Sequence, residues 1–278
     1  MTRRELLENI RAVAQGVYGE REAEAIARLV AEKRYGLLRS EIALEPLREV
    51  DEGADFGQLL SEIATARPVQ YILGTADFYG LELTVGEGVL VPRPETEELV
   101  RWIIESEPDA REILDVGTGS GAIAIALAKN LPASTVTAID ISEDALSFAR
   151  RNSEATDAGV VTRQGDALDS RLDVGSFDVI VSNPPYIPAR ERVAMAANVA
   201  DFEPALALFV PDADPLVFYR AIARLAGRSL VAGGALYFEI HEQMADQIVE
   251  LLEQEGLTDI EIRQDLNDKP RMARAYKR

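Results

Sequence analysis

The segment Ile113-Leu114-Asp115-Val116 runs without a break into Gly117-Thr118-Gly119-Ser120-Gly121-Ala122, and this junction constrains the fold more than any other stretch. A short apolar run of this kind reads as a buried strand. The glycines that follow allow a tight turn and let the main chain approach a ligand closely, beside the N-terminus of the next helix. Strand, glycine turn and helix in that order open a parallel sheet with helices on both faces. Around Glu112–Val116, further strands are predicted at Thr135–Ile139, Val160–Arg163, Phe177–Ser182, Ala235–Ile240, Asp259–Arg263 and Met272–Tyr276. Helices are predicted at Ala122–Asn130, Glu143–Arg151, Leu216–Leu225 and Met244–Gln254. The expected fold class is therefore α/β with a doubly wound, seven-stranded sheet, whose ligands bind at the carboxyl ends of the strands. No helical pattern separates the last two strands, which predicts an antiparallel pair closing one edge.

Upstream of the sheet the pattern differs. Leu6, Leu7, Ile10, Val13 and Val17 recur at helical spacing, as do Ala23, Ile26, Ala27, Val30 and Ala31, with Gly19 and Gly36 at the predicted ends. Residues 1–68 are expected to form a small helical bundle. Aromatic and β-branched residues then alternate with glycines between Gln70 and Pro92, which predicts a β-hairpin linker over residues 69–92. Pro92-Arg93-Pro94 punctuates the chain before a helix start at Glu95, and residues 93–278 make the third expected segment.

Composition removes several chemistries. The 278 residues include no cysteine, so disulfides, thiolate nucleophiles and zinc clusters are excluded together. A single histidine, His241, cannot build a metal site alone, and no metal is expected. With 29 basic against 48 acidic residues the net charge is −19, which disfavours a nucleic-acid partner because such binding rests largely on Lys and Arg displacing counterions. The longest apolar run, Ala122–Ala128, is too short to span a bilayer, and Met1-Thr2-Arg3-Arg4-Glu5 opens no signal peptide. The expectation is a cytoplasmic protein without a membrane partner.

The glycine loop fits the pattern G-x-G-x-x-G/A, which NAD sites and methyl-donor sites share. Asp140 ends the second strand, 19 residues after Gly121, where a carboxylate can accept both hydroxyls of an adenosine ribose. Together these predict an adenosine pocket without choosing a reaction. The choice comes from Asn183-Pro184-Pro185-Tyr186, which ends the strand Phe177–Ser182. Two prolines cannot continue a central strand, and they stiffen the corner that follows it. The nitrogen of an amide or aromatic amine donates its lone pair into a π system and is a poor nucleophile. The Asn183 side-chain oxygen and the Pro184 carbonyl can accept its two N–H groups, while Tyr186 stacks on its plane. Such positioning supplies roughly 7–11 kcal/mol. No titratable base is needed, since a methylated amide nitrogen releases its proton to water.

Several segments taken together resemble the release-factor glutamine methyltransferases. These are Gln70-Tyr71-Ile72-Leu73-Gly74, Phe78-Tyr79-Gly80, Val91-Pro92-Arg93-Pro94-Glu95-Thr96-Glu97, Asp115–Ala122, Ser182–Ile187, Phe202-Glu203-Pro204-Ala205-Leu206-Ala207-Leu208 and Glu239-Ile240. The resemblance covers roughly residues 65–278 and implies a Rossmann-like class I methyltransferase domain. It implies transfer of a methyl group from S-adenosylmethionine, leaving S-adenosylhomocysteine, to the side-chain nitrogen of the glutamine in the Gly-Gly-Gln motif of class I peptide-release factors. Under it, Gly117, Thr118, Gly119, Ser120, Gly121, Asp140, Asp166 and Asn183 contact the methyl donor. Asn183, Pro184, Pro185 and Tyr186 form the glutamine-binding corner. Two positions depart from the family pattern: Gly165-Asp166 is followed by Ala167-Leu168 where some members place a tryptophan, and His241 stands where glycine is usual. A ribosomal-protein glutamine is an alternative acceptor that the corner does not separate from the first. A nucleic-acid adenine amine would use the same corner and is disfavoured by the charge. A non-catalytic adenosine-binding scaffold would leave the corner without a use.

Overall fold

The computed structural model describes the backbone of residues 1–278 and every side chain except that of Ala197. The chain divides into two compact units, residues 1–75 with 196–202, and residues 76–195 with 203–278.

The first unit is helical, with α1 (Arg3–Gln15), α2 (Glu20–Tyr35), α3 (Arg39–Leu44), α4 (Phe56–Ala64) and α5 (Val69–Leu73). Thr2 caps α1 reciprocally: its side chain accepts from the Glu5 amide, and the Glu5 carboxylate accepts from the Thr2 amide. Gly36 ends α2 in the left-handed conformation. The apolar stripes read from the sequence meet here, with Leu6, Ile10, Ala23, Ile26, Val30, Leu59 and Ile63 in one core. Tyr71, Ile72 and Leu73, expected in a hairpin, form the last turn of helix instead. Pro68 precedes that turn and Gly74 closes it with φ +77°, so proline and glycine bracket a helix more readily than a strand.

The hairpin itself is shorter: β1 (Thr75–Phe78) and β2 (Leu81–Thr84) form a two-stranded sheet. Its two turn residues, Tyr79 and Gly80, both have positive φ, the geometry that suits the right-handed twist of paired strands. The second unit continues with α6 (Pro94–Ser106), β3 (Glu112–Val116), α7 (Ala122–Asn130), β4 (Thr135–Asp140), α8 (Glu143–Ala155), β5 (Val161–Gln164) and β6 (Phe177–Ser182). Short elements follow: β7 (Ile187–Pro188), a 3-10 turn at Ala189–Ala194, α9 (Ala197–Ala200, in the first unit), α10 (Ala205–Leu208) and β8 (Phe209–Val210). The chain then forms α11 (Val217–Ser229), β9 (Leu230–Glu239), α12 (Ala245–Gln254), β10 (Thr258–Gln264) and β11 (Pro270–Tyr276).

The seven-stranded sheet has the order β10-β11-β9-β6-β3-β4-β5. β9, β6, β3, β4 and β5 run parallel to one another, and β11 pairs antiparallel with both β9 and β10. The two faces of the sheet feed two cores. Ile113, Val179 and Val181 meet Leu99, Trp102 and Ile103 of α6 and the apolar face of α7. Leu114, Phe177 and Ile180 meet Ile222 and Leu225 of α11 and Ile248 and Leu252 of α12. Cover on both faces explains why the central strands read as nearly continuous apolar runs. Trp102 lies edge-on to Tyr237, at 5.3 Å between ring centroids, with the guanidinium groups of Arg263 and Arg274 over its ring. Among the described residues no helix is long and apolar enough to cross a membrane.

Candidate active site

The carboxyl ends of β3, β4 and β6 open onto one cavity of about 280 Å³. Its lining includes Gly117 and Gly119 after β3, Asp140 at the end of β4, Asp166 after β5, and Asn183, Pro184 and Pro185 after β6. Seven of the residues singled out from the sequence thus share one space. The remaining four do not face it. Thr118 and Ser120 are buried in the turn, and Thr118 donates its hydroxyl to Asp115 at 2.6 Å. Gly121 is the packing glycine of the loop, and a Cβ there would lie 3.1 Å from Ala149 of α8. Tyr186 lines a second hollow behind the corner with His241, Glu191 and Arg271.

The glycine loop is held by β4. The amides of Gly117 and Thr118 both donate to the Ile139 carbonyl, and the Gly119 amide donates to Asp140 Oδ2 at 2.9 Å. The other Asp140 oxygen accepts from the Ser142 amide at 2.9 Å. Ser142, not Asp140, caps α8, through a bond from the Ala145 amide. Burial pushes the Asp140 carboxyl upward, against the bonds from Ser142 and Gly119. Asn152 of α8 ties the loop to the hairpin, donating to the carbonyls of Ser120 and Thr84 and accepting from the Thr84 amide. Nothing in the sequence marked that asparagine, because its partners lie 32 and 68 residues away.

Two further sides were legible only as motifs. Glu203 is buried and accepts from the Val91 amide and the Arg93 guanidinium. It thereby holds the segment whose Gly88, Val89 and Leu90 line the cavity. Burial pushes the Glu203 carboxyl upward, and the charge of Arg93 opposes this. Pro204, Leu206 and Ala207 line the cavity directly, as does Phe218 of α11. Asp166 accepts from the Leu168 amide at 2.8 Å, so one of its oxygens organises the turn carrying Ala167 and Leu168. His241 sits behind the corner: Nδ1 accepts from the Gln243 amide at 3.2 Å, Nε2 lies 3.4 Å from Glu191, and the ring meets Tyr186 edge-on.

The corner rests on buried polar groups. The Tyr186 hydroxyl donates to Glu239 Oε1 at 3.1 Å, and the Thr96 hydroxyl donates to Glu239 Oε2 at 2.5 Å. Asn183 Nδ2 lies 3.4 Å from Thr96 Oγ1. Burial, then the neighbouring Glu239 charge, pushes the Tyr186 hydroxyl far above the usual range. The hydroxyl is held as a hydrogen-bond donor to Glu239.

A parallel sheet carrying a glycine turn, an acidic second strand and an Asn-Pro-Pro-Tyr corner defines a Rossmann-like methyltransferase. Residues 96–203 match the family model described as methyltransferase small domain. At 19% identity, a methyltransferase from Pyrococcus furiosus superposes with a TM-score of 0.54 over 80% of this chain and 98% of its own, which establishes the shared fold. A T. thermophilus 16S rRNA methyltransferase, solved with AdoMet and guanosine, gives a TM-score of 0.54 at 21% identity over 73% of this chain and 50% of its own. The release factor glutamine methyltransferase of Bacteroides thetaiotaomicron is 42% identical over 96% of this chain and 97% of its own. That of Flavobacterium psychrophilum is 40% identical over 92% of each chain. The chain belongs to the release factor glutamine methyltransferase family.

Proposed function

We propose that the protein transfers a methyl group from S-adenosylmethionine to the side-chain amide nitrogen of the glutamine in the Gly-Gly-Gln motif of class I peptide-release factors. The observation carrying this reading is that Asn183, Pro184 and Pro185 line the same cavity as Gly117, Gly119 and Asp140. The cavity suits the donor. A Cβ at Gly117 or Gly119 would meet nothing within 4 Å, so the bare backbone leaves room for a ligand against the loop. The Asp140 carboxylate accepts from the Gly119 and Ser142 amides and keeps acceptor capacity for a ribose hydroxyl. Apolar residues including Val89, Leu168 and Phe218 surround the remainder. Bound there, the donor supplies an electrophilic sulfonium methyl.

The chain's own residues do the rest by positioning. Asn183 Oδ1 and the Pro184 carbonyl accept the two N–H groups of the glutamine amide and turn its lone pair toward the cavity. Pro184 and Pro185 fix the backbone of the corner, so these acceptors need no reorganisation on binding. Tyr186, anchored through Glu239, lines the hollow behind the corner and not this cavity, so it braces the corner from behind instead of stacking on the plane of the amide. The proton lost after transfer goes to water. A cytoplasmic setting, where release factors act, fits this reading, and the net charge of −19 fits a protein acceptor better than a nucleic acid.

A glutamine loop alone offers less area than the ~1,200–2,000 Å² that specific protein complexes bury. Residues 1–68 are assigned the remaining recognition in this reading. Asn183→Ala tests the function: methylation of a release factor should be abolished while the donor still binds, measured by single-turnover transfer of labelled methyl and by calorimetry. Near-normal transfer in that variant would overturn the assignment.

A further inference from the structure

The Asn-Pro-Pro-Tyr corner is braced from beneath by two residues to which the reaction as described gives no part. Glu239 ends β9 with only 2% of its surface exposed, and both carboxylate oxygens are occupied by hydroxyl donors. Thr96, in the first turn of α6, is 4% exposed and stands between Glu239 and Asn183. Burial pushes the Glu239 carboxyl upward, while the Thr96 and Tyr186 hydroxyls and then the Arg271 charge favour its ionised form.

Both Glu239 oxygens accept from hydroxyls, Oε2 from Thr96 and Oε1 from Tyr186, and a hydroxyl has one hydrogen and two lone pairs. The single hydrogen of Thr96 is therefore committed to Glu239, and what Thr96 turns toward Asn183 is a lone pair. The two ends of a primary amide are nearly alike in shape, so packing alone does not choose between them. Hydrogen-bond polarity does. A carbonyl oxygen facing Thr96 would set acceptor against acceptor, whereas the amide nitrogen finds a partner there. We propose that Thr96 and Glu239 are positioning residues: the buried carboxylate sets the polarity of Thr96, which holds the Asn183 nitrogen and leaves its oxygen free for the substrate amide. This inference deepens the proposed glutamine methylation and rests on it.

The arrangement also carries a discrimination. A glutamine side chain brings two N–H donors to the corner and meets the Asn183 oxygen. A glutamate side chain brings only acceptors and is repelled by the same oxygen. Relaxing the polarity lets Asn183 turn its nitrogen outward, which weakens binding of the amide and improves binding of the carboxylate.

The test uses the full-length protein with Thr96→Val, Thr96→Ser and Glu239→Gln. Valine keeps the shape of threonine without the hydroxyl, serine keeps the hydroxyl, and glutamine keeps the shape of glutamate but gains donors. The readouts are methylation of a release factor, affinity for S-adenosylhomocysteine, and inhibition by a release factor bearing glutamate at the target position. The wild-type protein must first methylate the release factor. If it does not, the proposed function fails, and the polarity argument is not what failed. Given wild-type activity, Thr96→Val and Glu239→Gln should lower kcat by about ten- to hundredfold, the scale of a misplaced reacting group. S-adenosylhomocysteine affinity should hold, and Thr96→Ser should recover most of the activity. The glutamate-bearing release factor should inhibit both defective variants more strongly than the wild type. Should one of these variants fail to fold, the other carries the same readouts. Wild-type kcat in Thr96→Val or Glu239→Gln, failure of serine to rescue, or equal inhibition of all forms by the glutamate-bearing factor would each overturn the proposal.

Discussion

Gly121→Ala separates the two uses that the glycine loop makes of its glycines. Gly121 has φ +84°, and a Cβ there would lie 3.0 Å from Ile125 Cδ1 and 3.1 Å from both Cα and Cβ of Ala149. Gly119 has φ +55°, and a Cβ there would meet nothing within 4 Å. Both substitutions force a side chain into left-handed backbone, at roughly 1–2 kcal/mol. Only Gly121→Ala adds overpacking against the backbone of α8, which cannot swing away as a side-chain tip can, and which adds about 1–3 kcal/mol. The expected loss of stability is therefore about 2–5 kcal/mol for Gly121→Ala, against about 1–2 kcal/mol for Gly119→Ala. Ligand affinity should rank the other way, because Gly119 lines the cavity and Gly121 does not. Urea unfolding followed by circular dichroism measures the first ranking, and calorimetric titration with S-adenosylhomocysteine measures the second. If Gly121→Ala proves no less stable than Gly119→Ala, the close approach of loop and α8 is not what requires glycine at that position.

Three other perturbations follow from the same geometry. Asp140→Ala should weaken donor binding by about 1–3 kcal/mol and also loosen the loop, since the Gly119 and Ser142 amides lose their acceptor; unchanged calorimetric affinity would reduce Asp140 to a turn residue. Tyr186→Phe leaves buried Glu239 one donor short, so it should cost about 1–3 kcal/mol of stability and fall between wild type and Tyr186→Ala in activity; stability and turnover equal to wild type would show the hydroxyl to be idle. Asp115 is fully buried, and burial raises its carboxyl from 3.8 to about 7, with the Thr118 hydroxyl and the Ala124 amide offsetting part of the rise. The folded chain then keeps a proton that the unfolded chain has lost, so stability falls as pH rises from about 4 to about 7, by at most about 4 kcal/mol from this group. Asp115→Asn should flatten that slope in urea titrations at successive pH values; an equal slope in both proteins would place the pH dependence elsewhere.

What was legible in the sequence follows from the range over which each signal acts. The strands around Ile113-Leu114-Asp115-Val116 and Val179-Ile180-Val181 were visible because a parallel sheet covered on both faces leaves long apolar runs. Gly117, Gly119 and Asn183 were visible because a turn beside a ligand and a proline-locked corner each need particular residues in succession. Residues whose work is done at a distance were visible only as members of motifs, with no role attached. Thr96 and Glu239 lie 143 residues apart, and Glu203 reaches Val91 across 112 residues, so their partnerships exist only after the sheet has formed. The alternation at Tyr71-Ile72-Leu73 misled because aromatic and β-branched composition spoke for a strand, while the bracketing by Pro68 and Gly74 decided for a helix. Thr118 and Ser120 were drawn in by their position inside the loop, yet their side chains turn back into the protein.

The setting of Trp102 decides what light can report about this molecule. It is the chain's single tryptophan, and its ring is enclosed by Tyr237, Arg263 and Arg274, from β9, β10 and β11. Its emission is therefore a gauge of one edge of the sheet. Residues 1–75 contain no tryptophan, so melting of the helical unit by itself would change the circular dichroism and leave the tryptophan signal unmoved. Coincident midpoints from the two probes would mean that both units come apart as one cooperative body, and a gap between them would measure their independence. A fluorescence midpoint taken alone would credit the whole enzyme with the durability of its antiparallel edge.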